Sequence, residues 1–136
     1  MRDQIRAYAD LIQAGDFLGV IVARQNDRDI VFRCLEDHTE LEGRSQIVRA
    51  RSGSDDDHDP TIRPGVPICI VTVKGCKGLE FRAVHWLFCE ELRAYHNAEH
   101  YYTVVTRAKT SLDLYYSTQL PQELARAYAP PTKDIW

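Results

Sequence analysis

Lysines, glycines and one glutamate gather in Val71 to Phe81 (Val-Thr-Val-Lys-Gly-Cys-Lys-Gly-Leu-Glu-Phe), between two strand-like apolar runs, Ile68 to Val73 and Ala83 to Phe88. Gly75 and Gly78 break a β-branched run, and Lys74, Lys77 and Glu80 charge it, as suits a strand end that approaches phosphates. A second polar punctuation, Thr106-Arg107-Ala108-Lys109, follows a helical pattern and leads into another strand, Leu112 to Ser117. A third grouping, His96-Asn97-Ala98-Glu99-His100, has the H-x-x-E-H spacing that puts two imidazoles on one helical turn beside a glutamate, as zinc chemistry requires.

Each grouping has a plainer alternative. A zinc site would need a third ligand on a well-placed helix, and none is evident downstream; otherwise His96 to His100 is a solvated first helical turn. A domain that hydrolyses nucleotides alone needs a phosphate loop ending in Gly-Lys-Ser or Gly-Lys-Thr, and no such triplet occurs. Lys109-Thr110 follows Ala108 inside an expected helix end and does not qualify. Nor does any apolar strand end in an acidic pair able to hold magnesium. Self-contained ATP hydrolysis is not expected. Single lysines or arginines are otherwise surface charges, and Glu80 a helix-start carboxylate.

The elements that position these groups follow from periodicity. Ile5, Tyr8, Ala9 and Ile12 recur at helical spacing, predicting a helix over residues 2 to 14 that Gly15 ends. Phe17 to Ala23 is a short, β-branched apolar run that reads as a buried parallel strand. Asn26 and Asp27 can cap a helix whose apolar face is Ile30, Val31, Cys34 and Leu35. Gln46 to Ala50 reads as a short strand, and residues 51 to 67 as a mobile loop. A helix over residues 97 to 108, the strand Leu112 to Ser117 and a helix over residues 122 to 129 follow. The tail over residues 130 to 136 is expected to be loose. Strands alternating with helices imply an α/β fold with a mostly parallel sheet covered on both faces, giving three layers.

A length of 136 residues, 44% hydrophobic and 27% charged, fits one ordinary globular domain. No apolar run is long enough to span a bilayer and the amino terminus has no signal-peptide core, so a cytoplasmic location without membrane partners is expected. Cys34, Cys69, Cys76 and Cys89 sit mostly in apolar runs without the close pairing of structural zinc sites, and read as reduced thiols. A net charge of −3 and the acidic cluster Asp55-Asp56-Asp57-His58-Asp59 argue against high-affinity nucleic-acid binding by the lone chain. Any such contact must be local, near Lys74, Lys77, Arg82, Arg107 and Lys109.

Thr72 to Phe81 resembles motif V of the UvrD/Rep/PcrA-type superfamily 1 DNA helicases, usually T-x-H-x-x-K-G-L-E-F. Tyr102 to Lys109 resembles their motif VI, usually Y-V-A-x-T-R-A-K. The Lys-Gly-Leu-Glu-Phe and Thr-Arg-Ala cores match fully, and the likeness is strongest over Ile68 to Ser117. The resemblance implies a single C-terminal, second RecA-like core domain over residues 1 to 136, of the P-loop NTPase superfamily but lacking its own phosphate loop. ATP and Mg2+ would bind only in a complete two-domain enzyme, in a cleft shared with a phosphate-loop domain of the same or another chain. There Arg107 would be the arginine finger. Glu80, Gly78, Lys77 and Thr106 would line the nucleotide, with Glu80 near the ribose. Thr72, Lys74 and Gly75 would face single-stranded DNA, contacts that are weak for the lone domain. Lys74 stands where the family commonly has histidine, exchanging a titratable acceptor for a permanent donor. The family's work in unwinding and repairing DNA is what a complete enzyme of this kind would do; alone, the chain is expected to be inactive. The alternative is a catalytically inactive helicase-derived module that binds a protein or single-stranded nucleic acid, and the third reading is the zinc hydrolase.

Overall fold

The computed structural model describes Asp3, Ile5 and residues 16–49, 62–88 and 98–116. Five parallel strands form one sheet: β1 (Leu18–Val22), β2 (Ser45–Ile47), β3 (Ile68–Thr72), β4 (Phe81–Trp86) and β5 (Ala108–Leu114), in the order β2-β3-β1-β4-β5. Helix α1 (Gln25–Glu36) joins β1 to β2, and α2 (Ala98–Val105) precedes β5.

Alternate residues of each strand feed two cores, as a period of two dictates. Leu18, Val20 and Val22 of β1 join Ile68, Ile70 and Ala83 under Val31 and Leu35 of α1, with Ile5, itself helical, fully buried among them. Ile21 joins Cys69, Val71, Val84 and Trp86 on the opposite face, beneath Val104 of α2. The sheet is thus covered on both faces, and the α/β, three-layer architecture is that of a RecA-like domain.

The described residues of the connections fall on the faces that a single handedness requires. The link from β1 to β2 crosses the α1 face, whereas Val48 and Ile62 (β2 to β3), Val73 and Cys76 (β3 to β4) and Val104 (β4 to β5) all pack on the other. Strand order reverses direction between those two sets, so a change of face is required to keep the crossovers alike.

Several boundaries differ from the sequence reading, for identifiable reasons. Arg24, not Asn26 or Asp27, is the N-cap of α1; Asp27 sits three residues in, and its carboxylate accepts from the Arg24 backbone N–H at 3.2 Å. The buried face of α1 is Asp27, Arg28, Val31 and Leu35, while Ile30 is 59% exposed and Cys34 half-buried. β2 begins one residue earlier than expected because the Glu36 carboxylate accepts from Gly43 N–H at 3.1 Å and from Ser45 Oγ at 3.0 Å, tying the end of α1 to the start of the strand. β4 begins at Phe81 rather than Ala83. β5 begins at Ala108, where a helix end was expected, and stops at Leu114. Pairing of Phe81 with Ala108 draws both strands back toward the glycine-containing segment. The predicted helix over residues 122 to 129, the tail and the acidic cluster lie outside the described residues, as does Cys89.

Candidate functional site

The segment Val73 to Glu80 carries most of the chemistry singled out in the sequence, and the topology explains its form. β3 and β4 are parallel with β1 between them, so the segment must run from the carboxyl edge of the sheet to its amino edge. Parallel strands ordinarily need a dozen or more residues for this crossing, usually as a helix. Here it is done by a single helix-like turn. Val73 N–H extends the ladder to Val22 C=O at 2.9 Å, Cys76 N–H closes on Thr72 C=O at 3.0 Å, and Leu79 N–H on Cys76 C=O at 3.0 Å.

Thr72 and the glycines make the turn. Thr72 Oγ1 accepts from Gly75 N–H at 3.0 Å, and a Cβ on Gly75 would stand 3.0 Å from that same oxygen. Gly78 has φ +83, in the left-handed region that glycine alone enters freely. Val73 and Cys76 point into the core, and the Cys76 Sγ–H donates to Val73 C=O at 3.0 Å. Burial pushes the Cys76 thiol up to about 11, the nearby Arg107 charge opposing the rise. Lys74 and Lys77 are left exposed.

The two sequence motifs meet at the amino edge. Phe81 N–H donates to Arg107 C=O at 2.8 Å, and Lys109 Nζ lies 3.7 Å from Glu80 Oε2. The register between β4 and β5 shifts after Phe81 and Ala108, leaving Lys109 and Thr110 opposite Arg82. Such a bulge re-aims side chains: Lys109 turns to Glu80, and Arg82 lies 3.5 Å from Thr110 Oγ1 while pairing with Asp16 at 2.9 Å.

Arg107 is held at the end of α2 by its own helix. Its Nε donates to Thr103 C=O at 3.1 Å and one terminal nitrogen to Thr106 Oγ1 at 3.2 Å. Thr106 in turn donates back to Tyr102 C=O at 2.9 Å. The Thr103 carbonyl is one that a helix end leaves open, while the Tyr102 carbonyl also accepts from Thr106 N–H at 3.1 Å. The Arg107 bonds fix the stem of a half-buried guanidinium and leave it further donors for a ligand.

The candidate residues therefore fall into two groups at opposite ends of the crossover. Glu80, Thr106, Arg107 and Lys109 cluster at the amino ends of β4 and β5, with Gly78 and Lys77 leading into them. Thr72, Lys74 and Gly75 stand at the carboxyl end of β3. A single strand length, about 17 Å, separates the edges. Two partnerships were not foreseen from sequence, the Glu80–Lys109 pair and the seating of Phe81, because both depend on the β4–β5 register. Of the H-x-x-E-H motif, His96 lies outside the described residues, while Glu99 and His100 fall on α2.

No protein-family model matches the chain, and no curated protein matches it. A solved structure does: the C-terminal domain of a possible DNA helicase from Lactobacillus plantarum WCFS1. It superposes with a TM-score of 0.65 at 21% identity, over 91% of this chain and 71% of that one. At this level of identity the likeness is one of fold, and it is to a helicase-like C-terminal domain.

Proposed function

We propose that the chain is the second RecA-like core domain of a UvrD/Rep/PcrA-type motor, with Thr72 to Phe81 as its motif V and Tyr102 to Lys109 as its motif VI. A phosphate-loop domain, in the same or another chain, completes the ATP site. The observation that carries the reading is the hydrogen bond of Phe81 N–H to Arg107 C=O at 2.8 Å, which joins the two motifs at one edge of the sheet.

In that site Arg107 approaches the γ-phosphate and stabilises charge that develops on it during transfer. The bonds to Thr103 and Thr106 pre-orient its planar head, so less freedom is lost on engagement. Glu80 accepts from ribose hydroxyls. Its pairing with Lys109 is no obstacle, since both side chains are about half exposed or more and such pairs contribute only about 0–1 kcal/mol. Mg2+ and the phosphates are held by the partner domain. At the far end of the crossover, Thr72, Lys74 and Gly75 meet single-stranded DNA, so one short, well-bonded segment links the nucleotide side to the nucleic-acid side.

The test is ATP turnover by the complete two-domain enzyme. Arg107→Ala is expected to lower kcat by about three orders of magnitude or more with near-normal ATP binding. Arg107→Lys should fail to restore it, because an ammonium lacks the fork geometry. Normal turnover by Arg107→Ala removes the assignment.

A further inference from the structure

Glu80 stands where the backbone does little to aim its side chain. Gly78, two residues earlier, takes φ +83 as the crossover turn closes, and Phe81 begins β4. The Glu80 side chain is 66% exposed. A glutamate so placed samples many rotamers, and fixing one of them is an entropic cost that falls on whatever it binds. Among the described residues its one side-chain partner is Lys109, whose Nζ lies 3.7 Å from Oε2.

The fold sorts the neighbouring cations so that Lys109 takes this place. Arg82 is only two residues from Glu80, yet its guanidinium donates to Asp16 Oδ2 at 2.9 and 3.1 Å and lies 3.5 Å from Thr110 Oγ1. Ala108 pairs with Phe81 and Ser111 with Ala83, which leaves Lys109 and Thr110 opposite the single residue Arg82. The extra residue breaks the alternation that a regular ladder imposes on side chains. Thr110 then goes with Arg82 and Lys109 with Glu80.

The contact engages one carboxylate oxygen. An ionised carboxylate carries lone pairs on both oxygens. With Oε2 turned to the ammonium, Oε1 keeps its capacity to accept from a hydroxyl, so the ion pair and a sugar contact are compatible.

We propose that Lys109 is a positioning residue of the nucleotide site, holding Oε2 of Glu80 so that Oε1 is presented to a ribose hydroxyl. The assignment rests on the ribose role proposed for Glu80 and adds that sugar recognition draws on both polar stretches, Glu80 from one and Lys109 from the other. In this role Lys109 acts on nucleotide capture and leaves the chemical step to Arg107.

The test is steady-state hydrolysis by the complete two-domain enzyme of ATP and of its 2′,3′-dideoxy analogue, which offers Glu80 no hydroxyl. Lys109→Met keeps the stem and removes the charge. It is expected to raise KM for ATP by about two- to fivefold, the range that exposed ion pairs reach, with kcat unchanged. The increase should vanish with the dideoxynucleotide, and Lys109→Arg should restore the KM for ATP. In a Glu80→Gln background, Lys109→Met should add nothing further. An unchanged or lowered KM for ATP, a fall in kcat, or an equal rise in KM for both nucleotides, as general loss of positive charge would give, overturns the proposal. Loss of turnover in Arg107→Ala with an unchanged KM in Lys109→Met would remove the positioning role alone, whereas normal turnover in Arg107→Ala removes the motor reading beneath it.

Discussion

The ring of Phe81 lies directly over the backbone of Gly19. A Cβ built on Gly19 would meet Phe81 ring atoms at 2.5, 2.7 and 2.9 Å. The last residue of the Lys-Gly-Leu-Glu-Phe run therefore seats the start of β4 against β1, and with it the neighbouring Glu80 and the bond to Arg107. Gly19→Val forces the ring away and is expected to destabilise the domain by about 1–3 kcal/mol or more, measured by denaturant titration. Gly19→Ala should do so less. His85 is a second residue whose importance comes from its setting. It is fully buried, with Nδ1 2.9 Å from Tyr115 Oη and 3.5 Å from Asp113 Oδ2. Burial lowers its pKa to about 4, the Asp113 carboxylate opposing the shift. Because the folded-state value lies below the unfolded one, its contribution is intact above about pH 6.5 and is lost as pH falls toward 4. Between pH 6.5 and 5 the unfolding free energy should fall by up to about 1.4 kcal/mol per pH unit. A His85→Gln variant should lose that slope even if its overall stability is lower, and an unchanged slope would contradict the assignment.

At the scale of elements, the short β2 is held by more than its ladder. Gln46 is almost fully buried. Its Nε2 donates to Val66 C=O at 2.8 Å and to Arg63 C=O at 3.1 Å, and its Oε1 accepts from Arg63 N–H at 2.8 Å. One amide thus binds the described approach to β3 onto β2. Gln46→Leu keeps the volume but strands two carbonyls and one N–H, and should cost about 2–3 kcal/mol. Hydrogen exchange at the Arg63 amide should rise in that variant before exchange in β1 or β3 does. The crossover Val73 to Glu80 shows what periodicity could and could not supply. Its glycines and the apolar runs on either side marked a turn between strands, and that turn is present. That the turn spans the full length of the strands, placing Thr72 and Glu80 at the carboxyl and amino edges, required knowing that β3 and β4 are parallel. The apolar face of α1 was half legible for a similar reason. Val31 and Leu35 are buried as their spacing implies, whereas Ile30 is exposed and Asp27 and Arg28 are enclosed, because the buried stripe runs 27, 28, 31 and 35 at helical spacing and so includes two polar residues that hydrophobicity alone would leave out.

At the scale of the whole molecule, the proposed nucleotide-facing and nucleic-acid-facing residues stand at opposite edges of one sheet. The chain by itself is expected to show no ATP turnover above background in a coupled assay. Measurable turnover by the purified chain would exclude the shared-cleft arrangement. The α/β class, the parallel sheet with two covered faces and the two polar stretches were all readable in the sequence, because they depend on local matters: continuous β-branched runs, helical spacing, and glycine and threonine chemistry at turns. Strand order, the meeting of Phe81 with Arg107, the Glu80–Lys109 pair and the seat of Phe81 on Gly19 were decided only by the fold. Each joins residues far apart in the chain through strand register, and register is set by the packing of both faces of the sheet at once, which no local stretch of sequence encodes.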